Sequence, residues 1–264
     1  MLRDHSHCPR WLFITAAVLV LGAVYPSARG ASMPQAKSTA QPSSDPRNFE
    51  GVWQPDFAPP LVQAGKGTNG ALATVEGTIP PFTAKGAKIF WHRVKMEQAG
   101  TPVASSVSRY LPALPVYQLD LFLGMMDIIQ DRNNVVILFE DGSQWQIHLD
   151  RGHPKNLTPT YKGDSVGRFE GATLVADSIG FNAKTWLDAV GSPHGTNLHL
   201  TTRIRKIQNG QKLEFLTTYT DPEMYSKPFT VRRTASFQPD GYLLESEIDN
   251  LRPENNANLI YEDN

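Results

Sequence analysis

The chain reads as mainly β: an antiparallel, lipocalin-like β-barrel of about nine strands with one helix packed on it. Three observations carry this reading. Short β-branched and aromatic runs recur from Met125 to Asp249, and turn pairs such as Asp141-Gly142 and Asn209-Gly210 separate them. Asp-Gly or Asn-Gly between alternating runs is a strong hairpin signal. One segment alone repeats its apolar residues at a convincing helical spacing. A meander of this kind leaves edges exposed unless it closes on itself, which favours a barrel; a twin-sheet sandwich is the alternative.

Taken in order, Arg3 and Arg10 precede an apolar run from Trp11 to Val24, short for a membrane-spanning helix. Ala28-Arg29-Gly30 then sets small residues where a signal peptidase reads them. This is the layout of a signal peptide over residues 1–30, with an uncleaved amino-terminal anchor as the alternative. The single cysteine, Cys8, precedes the apolar run, which argues against a lipoprotein. Loss of the leader removes Arg3, Arg10, Arg29 and Asp4, leaving 22 basic against 25 acidic side chains, a net of −3. No basic block remains to grip nucleic acid or anionic lipid, and no cysteine remains to form a disulfide. The expected location is the periplasm or the extracellular space, without stable membrane insertion after cleavage.

Residues 31–48 are rich in Ser, Pro, Ala and Gln; they bury too little to offset their ordering entropy and read as a disordered tether. Residues 49–264 form a single domain, and about 230 residues are ample for one core. Phe49 to Trp53 is the first strand, with Trp53 a core anchor, and Pro55 to Pro81 is loop. From Thr83 to about Gln98 the spacing predicts a helix: Ala87, Phe90, Trp91 and Val94 share one face, Thr83 caps it and Gly100 stops it. His92 and Arg93 lie off that face and read as solvated. Strands are then expected at 125–131, 134–140, 143–150, 172–179, 196–207, 212–220, 229–237 and 242–249. Asp221 to Tyr225 is a short helical turn. Gly167 to Gly171 reads as a hairpin turn with Arg168 and Glu170 paired, not as a phosphate loop.

In the 196–207 strand, Leu198, Leu200, Thr202 and Ile204 share one face; Asn197, His199, Thr201, Arg203 and Arg205 share the other. Arg233 falls among Phe229, Val231, Ala235 and Phe237 on an apolar face. It needs a carboxylate or a wet lumen, because an unpaired buried charge costs several kcal/mol. Glu245 and Glu247 are the candidate partners, and a salt bridge on the barrel exterior is the simplest reading.

The run Gly163–Arg203 also resembles a large, mostly uncharacterised family of secreted bacterial proteins. Its members carry a stretch close to G-x-S-x-G-R-W-E-G-D-T-L-V-V-D-T-x-G-F-N-x-K-T-W-L-D-x-x-G-x-P-H-S-x-x-L-H-V-x-E-R. This chain matches at Ser165, Gly167-Arg168, Glu170-Gly171, Thr173-Leu174-Val175, Asp177, Gly180-Phe181-Asn182, Lys184-Thr185-Trp186-Leu187-Asp188, Gly191, Pro193-His194, Leu198-His199 and Arg203. Further similarity at Gly51-Val52-Trp53, Pro80 to Thr83, Asp150 to Pro154, and Asp221-Pro222 with Lys227-Pro228 extends it over nearly all of the ordered chain. The resemblance implies export and this fold, and no particular activity. Relatives carry a cysteine in place of Tyr110 and another near Ile248, so any bridge between them is lost here. The family's Glu before the last Arg is Thr202 in this sequence.

The sharpest chemical grouping is Asp188, His194 and His199 with Asp150 and His153. An imidazole beside a carboxylate is the usual general base, the carboxylate fixing its tautomer. Loops at a barrel rim would bring Asp150 to His153 beside Ser192 to His194. On that reading His194 is the base, Asp188 its orienter, His199 a companion imidazole, and Arg203 or Lys184 stabilises developing negative charge. Asn182 joins the binding set with Asp150, His153 and Lys184, while Phe181, Trp186 and Tyr225 wall the site for a small apolar or aromatic molecule. The alternative is that Asp188 and His194 hydrogen-bond backbone groups and pin a long loop, the three aromatics being its core. Asp-x-x-His and His-x4-His offer metal donors at spacings that match no zinc pattern, so no metal is assigned. Ser165 and Ser192 lack a nucleophile elbow. The expected chemistry is cofactor-free isomerisation, cyclisation, elimination or hydration; a non-catalytic lipocalin-like binding protein is the alternative.

Overall fold

The computed structural model describes residues 41–56, 71–101, 103–104, 124–188, 190–244 and 260–261. Its strands are β1 (Gly51–Pro55), β2 (Val103–Ala104), β3 (Met126–Gln130), β4 (Asn134–Phe139), β5 (Gln144–His148), β6 (Asp164–Glu170), β7 (Thr173–Ile179), β8 (His199–Ile207), β9 (Lys212–Thr220), β10 (Phe229–Phe237) and β11 (Ile260–Tyr261). The one helix, α1, spans Ala84–Gln98. Nine strands close into a barrel in the order β1-β10-β9-β8-β7-β6-β5-β4-β3, with β1 pairing β3 to complete the ring. Strands β2 and β11 make a separate parallel pair.

Closure with nine strands has a consequence the antiparallel reading overlooks. Directions cannot alternate around a ring of odd number, so one pair of neighbours must run the same way. That pair is β5 and β6, joined in register at His148 and Val166 alone. Parallel neighbours need a crossover of a dozen or more residues to return the chain to its starting end, and residues 149–163 supply it. By contrast β8 and β9 stay in register from His199–Thr220 to Ile207–Lys212.

The strand count matches the sequence reading, but one strand is exchanged. The turn expected over Gly167 to Gly171 lies mostly in strand β6, and the chain turns instead at Gly171 and Ala172. In β6 Ser165 points inward and is buried, Gly167 packs on Ile147 and Leu174, and Asp164 and Glu170 point out. Arg168 and Glu170 do pair, at 2.6 Å. The strand expected at 242–249 does not form over its described part, where Tyr242 and Leu244 are exposed. Glu245, Glu247 and the positions Tyr110 and Ile248 lie outside the described residues, as do residues 1–40 with the leader. No helix among the described residues is long and apolar enough to cross a membrane.

Side chains fill the barrel. Trp53, Ile137, Trp145, Leu174, Phe215 and Tyr219 all point inward and are buried in one continuous core. A ring of this strand number has just room for its own side chains or one small ligand, and here the side chains take it. Polar contacts between neighbouring strands line the core: the Trp145 indole N–H donates to Ser165 Oγ at 2.9 Å, the Ser165 and Ser178 hydroxyls meet at 2.6 Å, and those of Thr202 and Thr217 at 3.1 Å. Thr202, standing where the family pattern has Glu, thus faces inward. Arg233 also faces the interior, paired across from Phe215, 8% exposed and donating to the Arg232 carbonyl at 2.9 Å. It thus lies inside the barrel and not on the exterior expected, while its expected partners Glu245 and Glu247 fall outside the described residues.

Helix α1 begins as predicted, with Thr83 Oγ1 accepting from the Gly86 N–H at 3.1 Å. Its buried face differs: Gly86, Phe90, Arg93 and Val94 turn inward while Trp91 is 42% exposed. Arg93, expected in solvent, donates to the Gly191 carbonyl at 2.7 Å and lays its guanidinium over the Trp186 ring at 4.5 Å. An aromatic face holds a cation on its quadrupole, which lets the helix bury a charge against the loop after β7. Residues 41–48, expected in the tether, are strapped to the barrel. Arg47 donates to the Gly171 carbonyl at 2.7 Å and Lys206 to the Asp45 carbonyl at 3.0 Å.

Candidate functional site

The loop from Gly180 to Leu198 caps the barrel end where β7 stops and β8 starts, and its polar residues hold it there. Asp188 is 1% exposed. Its Oδ1 accepts the N–H groups of Val190, Gly191 and Ser192 at 2.8 to 3.0 Å, and its Oδ2 accepts the Leu72 N–H at 2.8 Å and the Ser192 hydroxyl. Asp221 does the same for Gly195, accepting its N–H at 2.6 Å. His194 is fully buried. Its Nδ1 lies 3.0 Å from the Gly195 carbonyl, so Nδ1 carries the proton and Nε2 accepts from the Thr185 hydroxyl at 2.6 Å. Burial brings the ring down to about 4 from an ordinary 6.5. Both ring nitrogens of His194 and both oxygens of Asp188 are thus occupied by other partners. The expected His194–Asp188 base pair is absent, and these residues are the loop pins of the alternative reading.

The aromatics follow them into the loop core. Phe181 is fully buried with its ring edge-on to His194 at 6.2 Å. Trp186 lies under Arg93. Tyr225 donates to the Pro193 carbonyl at 2.7 Å, and burial pushes its phenol well above the usual 10. Asn182 Oδ1 accepts the Lys184 N–H at 3.1 Å, a turn contact, and the Lys184 side chain is exposed. None of these five walls an open apolar mouth.

The other two histidines meet outside, across the wall of the barrel. The crossover 149–163 carries His153 over β6 and β7, where alternation turns Asp164 and Asp177 outward. His153 Nδ1 contacts Asp164 Oδ2 at 2.6 Å and its Nε2 contacts Asp177 Oδ1 at 2.9 Å. The other Asp177 oxygen, Oδ2, meets His199 Nε2 at 2.6 Å. At the far end Arg151 grips Asp164 with two nitrogens, at 2.5 and 3.2 Å. The result is a chain in which basic and acidic side chains alternate, Arg151–Asp164–His153–Asp177–His199, two-thirds or more buried at its middle and open at His199 (side chains 12%, 19%, 32% and 43% exposed from Asp164 to His199).

Electrostatics keep both carboxylates ionised. Burial raises Asp164, but hydrogen bonds from Arg151 and His153 outweigh it and hold the group below the usual carboxylate range. Burial of Asp177 is likewise outweighed by His199 and His153. Asp177 accepts and cannot donate, so the neutral His199 ring carries its proton on Nε2 and presents the Nδ1 lone pair outward. That is an imidazole oriented by a carboxylate, the arrangement expected of His194 and found at His199. Asp150 is exposed beside Arg151 and joins no contact of the chain. Arg203 shares the outer face of β8 but pairs with Glu170 at 2.9 Å. Four residues of strand separate it from His199, about 13 Å, too far for the same substrate atom.

The sequence reading thus brings together His153 and His199 and misses their carboxylates. Asp164 falls ahead of the turn expected at Gly167 to Gly171, outside any expected strand, and Asp177 lies in one read as plain strand. The signal was present in the alternation: Val175, Asp177 and Ile179 share a face, as do Asp164 and Val166. Among the described residues no cluster of three or more His, Cys, Asp or Glu converges to hold a metal ion; the two histidines flank Asp177 from opposite sides. No protein-family model, no curated protein and no solved structure matches this chain.

Proposed function

We propose that this is an exported β-barrel protein that acts on a small molecule by acid–base chemistry at its outer wall, with His199 as the proton acceptor. The observation that carries the reading is the 2.6 Å contact between His199 Nε2 and Asp177 Oδ2 on a ring whose other nitrogen faces outward. A substrate C–H or O–H placed at Nδ1 gives up its proton there, and Asp177 stabilises the imidazolium that forms. His153 and Arg151 fix Asp177 and Asp164 in turn, so little reorganises as charge moves. Isomerisation, elimination and hydration all use such a step. The polar wall around His199, with Thr201 and Thr220 beside it, suits a substrate with a carbonyl or hydroxyl better than a purely apolar one. Export rests on the amino-terminal pattern of Arg3, Arg10 and the run from Trp11 to Val24. Capture without turnover at the same outer wall is the second reading, since side chains fill the barrel interior.

The test is proton exchange. A panel of enolisable ketones and hydroxy ketones is incubated with the protein in D2O, and NMR reads loss of the α-proton signals. Exchange is expected for at least one compound, falling by about 10²- to 10⁴-fold in His199→Gln and Asp177→Asn. Shifts of the His199 ring signals without exchange would leave the capture reading in place; neither exchange nor shifts would overturn both.

A further inference from the structure

The geometry points to a second site, in the parallel seam: the cleft between β5 and β6 binds a small carboxylate, recognised by the Lys162 ammonium. The cleft follows from the seam. Odd-numbered residues at both ends of β5 bond to β4, as in Phe139 N–H to Ser143 O and Leu149 N–H to Asn133 O, so the even-numbered peptides face β6. A single registered pair joins them there, and short of that pair the strands part. The opening holds about 190 Å³, well above the roughly 10–15 Å³ that a single water needs on the same measure, so a molecule of several heavy atoms fits. Gln144 and His148 form one wall, Lys162 and Asp164 the other, and Trp145 with Ser165 the floor. That floor is closed by the indole bond to Ser165, which continues to Ser178 Oγ at 2.6 Å.

Charge then selects the ligand. Asp164 lines the cleft, yet its oxygens are taken on the other side by Arg151 and His153. Lys162 makes no ion pair or side-chain hydrogen bond among the described residues; burial holds its ammonium below the usual lysine range, and Asp141 offsets this only in part. Gln144 and His148 likewise keep their side-chain hydrogen-bonding capacity. A bound carboxylate supplies the anion that Lys162 lacks through a charge-assisted bond and takes an amide N–H from Gln144 on its second oxygen. One cation opposite one carboxylate favours a monoanion over a phosphate dianion. The site shares Asp164 with the chain that ends at His199, but His199 itself lies two strands beyond β6, so carboxylate binding and proton transfer are read separately.

Trace reductive methylation of the purified protein, read by mass spectrometry, tests it. Propionate is expected to slow methylation of Lys162 saturably and leave the exposed Lys155 unchanged, while propionamide has no effect. By NMR shifts at the Trp145 indole and the Gln144 amide, Lys162→Met should weaken propionate about tenfold or more, with Lys162→Arg retaining most of the affinity. Should Lys162→Met fail to fold, the protection pattern of the unaltered chain decides alone. Equal protection by propionamide, stronger protection by phosphate, or no protection by any of the three overturns the proposal.

Discussion

His194 shows what a single side chain's surroundings do to its chemistry. Residue type marks it as a base, and the sequence places it in a polar loop, but full burial and two neutral partners make it a neutral structural ring. Its folded value of about 4 lies below the ordinary 6.5. Between those values the unfolded chain takes up a proton that the folded chain refuses, so stability is full above pH 6.5 and declines as pH falls toward 4. A gap of that size amounts to about 3 kcal/mol. Urea unfolding at pH 7.5 and 4.5 should therefore show a drop that His194→Gln largely removes, despite its lower starting stability. An unchanged pH slope in the variant would mean that His194 is not the group responsible. Asp188 teaches the same lesson: a carboxylate is legible in sequence, but whether it faces a substrate or four backbone amides depends on where the chain folds back.

At the scale of elements, periodicity was a good guide to existence and a poorer one to orientation. The helix appears where the 3.6-residue spacing sets it, from Ala84 to Gln98. Its buried face is rotated by the demands of the loop it covers: Arg93 lies on Trp186, while Trp91 rests edge-on to Phe90 and stays 42% exposed. Strand β6 escaped notice because Gly163 and Gly167 look like turn residues. Gly167 is instead a contact: a Cβ there would lie 2.6 Å from Ile147. Residues 242–244 show the reverse: they pair with no strand among the described residues, and Tyr242 and Leu244 are exposed. Gly86 tests how closely α1 is fitted. Alanine is worth about 1 kcal/mol in a helix interior over glycine, but its Cβ would fall 2.2 Å from the Met224 carbonyl oxygen. Backbone cannot yield as a flexible side chain would, so Gly86→Ala should destabilise by roughly 1–3 kcal/mol in urea titration. A stabilised variant would show that the helix stands off the Asp221–Tyr225 turn.

For the molecule as a whole, the number of strands decides where it is weakest. The turn signals in the sequence counted nine strands, and an odd ring must contain a parallel joint; that inference was available from the count alone. Which joint it would be was not, because β6 was unread and the crossover 149–163 looked like a rim loop. The other ladders hold from three registered pairs, where β1 meets β3 and β10, to eight between β9 and β10 and nine between β8 and β9, against one pair at the seam. Local opening begins where the fewest backbone bonds must break, so the barrel should breathe between β5 and β6. Hydrogen exchange followed by NMR then has a definite expectation: the amides of Gln144 and Gln146 exchange first among the barrel strands, while those of Leu200 to Lys206 exchange only with global unfolding. Propionate, if it bridges the walls through Lys162 and Gln144, should slow the seam amides and leave β8 unaffected. Seam amides protected as strongly as β8 without any ligand would mean that side chains, above all Trp145 on Ser165, hold the joint as firmly as a full ladder does.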